Sequence, residues 1–207
     1  GIAPDCYVYI NGTQKDSENG VLITRAAGLY LVKVNTSDSA NYSSYSQEYN
    51  LTISQASSPL IIAANQSSPI VYETSTNVTG YNCPSQITCS LYRNDTGLIG
   101  SGTISDNALL GAGAYTYNYN TSGNKNYTSN STTFDLTVTT KNANVIVYPT
   151  TQSIIYGTSV TQYCLDDSSL TCSVFRDGVA VSNGTSITLA ADTYNFLANI
   201  TDDTNYT

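Results

Sequence analysis

The sequence contains no histidine, methionine or tryptophan, and only seven of its 207 residues are Lys or Arg. Without histidine it has no Ser-His-Asp or Cys-His catalytic group and lacks the imidazole ligand of nearly all zinc and copper sites. The net charge of −8 provides no basic surface for nucleic acid and disfavours anionic lipid. The only glutamates, Glu18, Glu48 and Glu73, follow no repeated pattern, so the facing carboxylates of a glycosidase are not expected. We therefore expect no enzymatic activity and no cofactor.

Long apolar runs are also missing. No stretch approaches the roughly 18–20 apolar residues of a membrane span, and no signal peptide is recognisable. We expect no membrane span in this chain and place any export signal or anchor outside it. The sequence is instead rich in Tyr, with 18 copies, and in Ser and Thr, which make up roughly a quarter of it. Val, Ile, Thr and Tyr suit a pleated, half-buried surface, so the composition predicts an all-β fold.

Three cysteines mark an internal repeat. Cys6, Cys89 and Cys172 begin the similar sequences CYVYINGT, CSLYRNDT and CSVFRDGV, at intervals of 83 residues. VNTSDSANYSSYSQEYNLTI aligns with YNTSGNKNYTSNSTTFDLTV without a gap, and a fixed period of this kind indicates an array of similar units. We predict the C-terminal part of a unit at 1–54, a complete unit at 55–138, and a unit without its last strand at 139–207.

These three predicted stretches are called the first, second and third segments below. The simplest explanation of the incomplete outer segments is that the chain is a section of a longer array. The alternative is a subunit that is completed by a strand from a neighbour.

The second segment contains seven short runs of alternating apolar residues, separated by Gly, Asn, Ser and Pro. They are LIIAAN, PIVYE, TNVTGYN, TCSLYRN, TISDNALL, AYTYNYN and TTFDLTVT. Seven strands in about 80 residues are typical of an immunoglobulin-like β-sandwich. ITRAAGLY, LLGAGAY and ITLAADTY each lead through a tight turn into a tyrosine, which is typical of a tyrosine corner, although an ordinary core tyrosine is the alternative. The sequence thus predicts tandem immunoglobulin-like sandwiches with a repeat of about 83 residues.

A family resemblance is carried by YGTSVT (156–161), FRDG (175–178), the corner tyrosine and the Asn-Tyr pair after the next turn. On these motifs all three segments resemble tandem bacterial and archaeal immunoglobulin-like surface repeats. The resemblance implies an exported stalk, fibre or adhesin rather than one activity. The chain departs from the family pattern in its added cysteine pair and its many Asn-x-Ser/Thr triplets, and these triplets together with so few lysines favour an archaeal surface.

Asn-x-Ser/Thr, the acceptor sequence for N-glycosylation, occurs thirteen times. Composition alone explains about half of these triplets, but not two positions that recur in every segment. One position ends a predicted strand, and the other follows the next turn. The recurring asparagines are Asn35, Asn120 and Asn199, and Asn41, Asn126 and Asn205; the other candidates are Asn11, Asn50, Asn65, Asn77, Asn94, Asn130 and Asn183.

Strand alternation predicts which side chains of the repeated strand face the core. Tyr115, Tyr117 and Tyr119 lie on one face of the predicted strand, and the residues on this face are apolar in every segment. Asn120 lies on the opposite face of the strand and is expected to face solvent. We therefore expect covalent N-glycans at the recurring positions of an exported protein.

The remaining cysteines form two close pairs, Cys83 with Cys89 and Cys164 with Cys172. No histidine lies near them, so disulfides in an oxidising compartment are favoured over metal binding, which remains the alternative. Cys6 occupies the second position of such a pair, and its partner is expected upstream of Gly1.

A cluster of acidic residues is predicted in the third segment. Four carboxylates in two loops suit calcium, which takes six to eight oxygen ligands. The alternative is that they are ordinary acidic residues in solvated turns, because the second segment has PSQI and GNK at these places. The four candidates are Asp166, Asp167, Asp202 and Asp203.

Together these patterns predict a structural extracellular protein at the cell surface. We expect a section of an N-glycosylated fibre, stalk or coat that self-assembles. The alternative is an adhesin that recognises a carbohydrate or a partner-cell surface, with Tyr42, Tyr127 and Tyr206 as its candidate aromatic contacts.

Overall fold

Strands make up almost all of the regular structure. The computed structural model describes residues 5–150, 152–166, 170–201 and 203–207. Within these ranges there is no α-helix, and the helical element is one 3₁₀ turn, η1, at Asp16–Glu18. The strands are β1 Cys6–Ile10, β2 Thr13–Gln14, β3 Gly28–Thr36, β4 Tyr45–Ile53, β5 Ile61–Ala64, β6 Ile70–Val71, β7 Thr76–Tyr81, β8 Ser90–Arg93, β9 Gly97–Ser101, β10 Ile104–Ala108, β11 Gly113–Thr121, β12 Asn130–Thr139, β13 Val145–Tyr148, β14 Ser159–Thr161, β15 Tyr163–Asp166, β16 Cys172–Arg176, β17 Val179–Val181, β18 Ser186–Thr188 and β19 Phe196–Ile200.

The strands form several mainly antiparallel sheets, which confirms the predicted all-β, sandwich-like fold. In the described residues the strand orders are β2-β1-β3-β4, β10-β7-β5, β6-β12-β11-β8-β9, β13-β15, β14-β18 and β17-β16-β19. Strands β6 and β12 are an exception to the antiparallel pattern, because they run parallel with Ile70 opposite Val138.

Residue contacts divide the chain into two compact units. One unit comprises 1–63, 79–105 and 117–134, and the other comprises 64–78, 106–116 and 135–207. This division follows contacts rather than sequence similarity, so the predicted segment boundaries after 54 and 138 remain a prediction.

The core of the first unit contains the two β11 side chains that are most deeply buried on the face predicted to point inward. Tyr117 and Tyr119 have no exposed surface, and the Tyr119 hydroxyl donates a 2.6 Å hydrogen bond to the carbonyl of Gly102. Strand β7 contributes Gly80 beneath this ring, and a Cβ atom there would lie 2.5 Å from the Tyr119 ring. The missing side chain of Gly80 is therefore what lets the tyrosine pack against β7.

The core of the second unit is formed by aliphatic residues of several short strands. Leu136 and Val138 on β12 are 1% and 3% exposed, and Ile70 on β6 is 7% exposed. Val160 on β14 and Val174 on β16 are also buried. Strand β13 contacts β19, and β15 contacts β16, so strands of different sheets face each other in the third segment.

One strand of the second segment was not predicted. Strand β9, Gly97–Ser101, pairs with β8 and shifts register between Leu91 and Tyr92. The prediction of seven strands in this segment is therefore wrong by one strand. Its sequence, GLIGS, has glycines at two of five positions and no clear alternation, so its strand conformation depends on pairing with β8 rather than on local preference.

Three strand registers place the recurring strand-end asparagine opposite the residue that follows an aligned cysteine. These pairs are Tyr7 with Asn35, Ser90 with Asn120, and Ser173 with Asn199. The aligned positions thus occupy the same place in three separate strand pairs.

Candidate functional site

Each of the corresponding strands β3, β11 and β19 is followed by a turn that carries the second recurring asparagine. We call these the first turn (37–44), the second turn (122–129) and the third turn (203–207). In the second turn the Asn124 side chain accepts hydrogen bonds from the amides of Asn126 and Tyr127 at 2.8 and 3.0 Å. Asp203 does the same for the Asn205 amide at 2.9 Å. Such side-chain-to-backbone bonds fix the turn locally.

The second turn contacts the first segment through the side chain of Asn126. Its Oδ1 atom accepts a 3.0 Å hydrogen bond from the amide of Ala27, a residue that is 8% exposed. The third turn makes the same contact with the second segment, because Asn205 Oδ1 accepts a 2.7 Å bond from the amide of Ala112. One asparagine position therefore satisfies a backbone donor of the preceding segment in both cases.

Backbone hydrogen bonds reinforce both contacts. The amide of Ala56 donates to the Asn126 carbonyl at 2.8 Å, and the Thr128 amide donates to the Ala56 carbonyl at 2.9 Å. In the later contact, Lys141 pairs with Asn205 and Thr207 at 2.9 and 3.0 Å in the same way. We call each set of bonds a joint, because the turn binds a backbone amide of the preceding segment and also the opening residues of its own segment.

The donor amides of both joints are placed by tyrosine corners. The hydroxyls of Tyr30 and Tyr115 donate to the carbonyls of Ala26 and Gly111, four residues upstream, at 2.8 and 3.0 Å. Ala27 and Ala112 directly follow these acceptors, so the corner fixes the amide that the asparagine then binds. A third bond of the same kind runs from Tyr194 to Ala190 at 3.4 Å.

The later joint has an additional ionic contact at Glu73. Its carboxylate accepts a 2.6 Å bond from the Tyr206 hydroxyl and a 2.5 Å bond from Lys141 Nζ. The Tyr72 ring lies edge-on to Tyr206 with centroids 5.4 Å apart. Because Tyr206 is only 8% exposed, this cluster covers the aromatic face of the third turn.

The charges of this cluster shift two pKa values. The hydrogen bonds from Lys141 and then Tyr206 lower the pKa of Glu73, although partial desolvation opposes them. The hydrogen bond to Glu73, followed by burial, raises the pKa of Tyr206 from 10.0 to about 12. Glu73 is therefore ionised and Tyr206 neutral over the physiological range.

Glu73 has an unusual backbone conformation for a glutamate, with φ +70°. The corresponding residue of the third segment is Gly157, with φ +89°, and glycine adopts this region without a steric penalty. A non-glycine residue in this region has a backbone cost that the surrounding structure must offset. The bonds of Glu73 to Tyr206 and Lys141 contribute to this.

The first turn has a similar backbone but makes no such contacts with the part of the chain that the structure describes. Ser39 and Tyr42 exchange hydrogen bonds at 2.9 and 3.3 Å, yet Asn41 is exposed and Tyr42 is 52% exposed. Of the three aromatic residues predicted as adhesive contacts, Tyr206 is buried, Tyr127 is half-buried and Tyr42 is open.

The thirteen candidate glycosylation asparagines differ in exposure. The exposed ones are Asn11, Asn41, Asn50, Asn65, Asn94, Asn130, Asn183 and Asn199, and the half-buried ones are Asn35, Asn77, Asn120, Asn126 and Asn205. An asparagine is glycosylated through Nδ2, whereas both joints use Oδ1, so the two roles fall on different atoms of Asn126 and Asn205. In Asn120, Nδ2 donates a 2.8 Å bond to Asn118, but a sugar replaces only one of its two hydrogens.

The structure joins Cys83 to Cys89 and Cys164 to Cys172, with Cα separations of 6.1 and 5.9 Å. These are the pairs favoured by the sequence. Cys6 is exposed and free within the described residues. The acidic candidates are incompletely described, because Asp167 and Asp202 lie outside the described residues. In the remainder of the chain no three His, Cys, Asp or Glu side chains form a group suited to a metal ion.

Sequence reasoning identified the asparagines but missed their partners in the joints. The amides of Ala27 and Ala112 carry no side-chain signal, and only the recurrence of the corner before them could have pointed to them. Glu73 was set aside as a catalytic residue because it does not recur, yet it provides the ionic contact of the later joint. Gln162, a buried residue considered below, also lacked any sequence signal.

Comparison with protein-family models, with curated proteins and with solved structures gives no significant match. The described residues also include no helix with the length and apolar character needed to cross a membrane.

Proposed function

We propose that the chain is a section of an extracellular, N-glycosylated fibre, stalk or cell-surface coat built from tandem immunoglobulin-like units of about 83 residues. The main support is the joint that occurs twice, in which the Asn126 side chain binds the Ala27 amide and the Asn205 side chain binds the Ala112 amide. A joint made twice by the same residue types in one chain is a connection suited to an array.

Strand order supports the repeat. The sheet β2-β1-β3-β4 of the first segment corresponds to β9-β8-β11-β12 of the second, and β17-β16-β19 corresponds to β9-β8-β11. The pairs β14-β18 and β13-β15 correspond in turn to the sheet β10-β7-β5. The aligned cysteines, corner tyrosines and asparagines lie on corresponding strands or next to them.

The role we propose is mechanical and steric, without catalysis. The joints resist bending between segments, and each disulfide closes a short loop beside a joint. Sugars on the exposed asparagines shield the strand edges, which otherwise pair with other chains. The two disulfides are consistent with an oxidising, extracellular location, and the archaeal surface remains part of this proposal.

The alternative function is an adhesin that binds a carbohydrate or a partner cell. Carbohydrate sites use exposed aromatic faces, and burial of Tyr206 and partial burial of Tyr127 remove two of the three candidates. Tyr42 is the one that keeps this alternative open.

Glycopeptide mass spectrometry and electron microscopy of the native protein test the proposal together. We expect sugars at Asn120 or Asn126 of the second segment and filaments or a continuous surface layer in the micrographs. Unmodified asparagines at both positions, together with isolated particles, would contradict it.

A further inference from the structure

An aromatic side chain recurs beside the strand-end asparagine of every segment. Tyr9, Tyr92 and Phe175 each lie three residues after one of the aligned cysteines. In each segment the strand register pairs the residue two positions before the aromatic one with the strand-end asparagine. Each aromatic residue is therefore the diagonal neighbour of that asparagine on the adjacent strand. Diagonal neighbours on one face lie about 7–8 Å apart, within reach of aromatic and long side chains.

These aromatic residues lie on strand faces that point away from the core. On β8, Leu91 has no exposed surface and lies opposite the buried Tyr119, whereas the next residue, Tyr92, is 38% exposed. Tyr9 and Phe175 are half-buried. Strand preference favours aromatic residues on either face, but it does not place one beside the strand-end asparagine in every segment. The position therefore calls for an explanation other than core packing.

In the second segment a hydrogen bond holds the asparagine side chain close to the aromatic residue. Asn120 Nδ2 donates to Asn118 Oδ1 at 2.8 Å, and Asn118 lies opposite Tyr92 in the strand register. Ser131 on β12 holds Asn118 from the other side of β11, because its hydroxyl donates to the same oxygen at 3.2 Å. The atom that carries an N-linked sugar, Nδ2, is thus held over the part of β11 next to Tyr92.

In the first segment the corresponding asparagine and aromatic residue, Asn35 and Tyr9, line a shallow depression of about 410 Å³. Lys33 and Glu48 form another part of its lining, with Lys33 Nζ and Glu48 Oε1 3.3 Å apart. The Oδ1 atom of Asn35 is buried and has no hydrogen-bond partner among the described residues. An apolar ring flanked by a few polar groups is the usual lining of a small-molecule site. It suits a sugar, which has an apolar ring face and hydroxyl groups around its edge.

We propose that the aromatic residue of each pair binds the first sugar of the N-glycan that its diagonal asparagine carries. The apolar face of the sugar ring lies on the aromatic ring, and the hydroxyl groups face solvent and the neighbouring polar side chains. The proposal rests on the proposed N-glycosylation and gives it a structural consequence, because a sugar held on the sheet covers a fixed part of it. The three pairs are Tyr9 with Asn35, Tyr92 with Asn120, and Phe175 with Asn199.

Nuclear magnetic resonance of the sugar tests the contact directly. The whole chain is secreted from a eukaryotic host, which attaches N-acetylglucosamine to Asn-x-Ser/Thr, and the glycans are trimmed to this single sugar. The signals of the Asn120 sugar are assigned with Ser122→Ala, which removes the acceptor triplet at an exposed position and leaves Asn120 intact. We expect nuclear Overhauser effects between this sugar and an aromatic ring, and an upfield shift of the sugar protons that lie over the ring. Absence of both signals would overturn the proposal.

Two matched variants locate the platform. Tyr92→Ala removes the proposed ring, and Tyr81→Ala removes a ring of nearly equal exposure, 37% against 38%, on β7. Carbon relaxation of the Asn120 sugar measures its mobility in each protein. We expect an order parameter near the value of about 0.85 for rigid backbone in the unmodified chain and in Tyr81→Ala, and one below about 0.6 in Tyr92→Ala. Tyr92→Phe keeps the ring and is expected to keep the sugar ordered. Equal order parameters in the two alanine variants would overturn the assigned platform.

Failure of this proposal is distinguishable from failure of the proposed function. A sugar on Asn120 that moves freely overturns the platform and leaves N-glycosylation and the fibre standing. Asn120 left unmodified in the secreted chain also overturns the platform, because the sugar then has no attachment beside Tyr92. Unmodified asparagines and isolated particles in the native protein contradict the proposed function, whereas the contact measured on the secreted chain is unaffected by them.

Discussion

The side chain of Asn205 accepts a 2.7 Å hydrogen bond from the backbone amide of Ala112, 93 residues earlier in the chain. Asn126 makes the same bond to Ala27. The recurrence of this asparagine in the sequence was first attributed to glycosylation. The joint provides a second reason for it, because loss of the acceptor leaves the amide of the buried Ala27 or the half-buried Ala112 unpaired.

The two roles of Asn126 can be separated by mutation. Asn126→Ala removes the acceptor for the Ala27 amide, and we expect it to lower the free energy of unfolding by about 1 kcal/mol or somewhat more. Asn126→Asp keeps an oxygen at this position, and Thr128→Ala removes the glycosylation triplet while leaving Asn126 intact. We expect both controls to cost less than about 0.5 kcal/mol. Urea unfolding of unglycosylated protein measures all three, and equal stabilities would argue against the joint.

The later joint depends on pH through Glu73. The pKa of this carboxylate is lowered in the folded state, so its contribution is present above the ordinary carboxyl pKa and is lost as pH falls through the lowered value. We expect Glu73→Gln to reduce stability at pH 7 and to reduce it less as the pH approaches 3. Thermal unfolding from pH 3 to 8 tests this, and parallel curves for the two proteins would refute it.

Tyr206 determines the behaviour of the same joint at alkaline pH. Its pKa is raised from 10.0 to about 12, so its contribution is complete below pH 10 and is lost as pH rises through 12. Tyr206→Phe removes the hydroxyl but keeps the ring beside Tyr72. We expect this variant to show a smaller loss of stability between pH 10.0 and about 12 than the unmodified chain. Ultraviolet titration of the tyrosinate provides the direct measurement, and a Tyr206 that ionises with the exposed tyrosines would contradict the prediction.

The Cys83–Cys89 disulfide closes a short loop. On the chain-entropy estimate, its removal in a Cys83→Ala/Cys89→Ala variant lowers stability by about 2 kcal/mol. Cys6 remains present in both proteins and serves as an internal control for thiol chemistry. Chemical denaturation under non-reducing conditions measures the difference, and an unchanged midpoint would show that the loop is already ordered without the bond.

Close packing at Gly80 leads to a test of the correspondence between segments. Gly80→Ala places a Cβ atom against the Tyr119 ring, and we expect a loss of about 1–3 kcal/mol. The third segment has Gln162 and Ala198 at the corresponding positions, a large residue in place of the small one and a small one in place of the large one. We therefore expect Gly80→Gln with Tyr119→Ala to cost less than the sum of the two single variants. Additive losses would show that the two positions do not share one space.

The sequence predicted which face of β11 points to the core, because apolar and polar residues alternate along this strand. Tyr117 and Tyr119 are fully buried as predicted, whereas Tyr115 is only half-buried. Its hydroxyl instead reaches the carbonyl of Gly111, which is the corner that the turn sequence predicted. Strand β9 was missed because two glycines leave no local pattern, and its conformation is imposed by β8.

The joints were harder to predict than the strands. Sequence patterns report which face of a strand is apolar, but the Ala27 and Ala112 amides are backbone groups with no such pattern. Their role depends on contacts with residues 99 and 93 positions away. The buried Gln162 could not be singled out either. Its Oε1 atom has no hydrogen-bond partner among the described residues, and this can be recognised only from the positions of the surrounding atoms.

The three corner tyrosines have one feature with an evolutionary consequence: each acceptor, in Ala26, Gly111 and Ala190, is a backbone carbonyl. A carbonyl is present whatever residue occupies the position, and the amide that follows it is missing only from proline. The asparagine bond of each joint therefore requires only a carboxamide and a peptide amide. In the tandem array proposed above, the side chain at the donor position can change from unit to unit without loss of this bond.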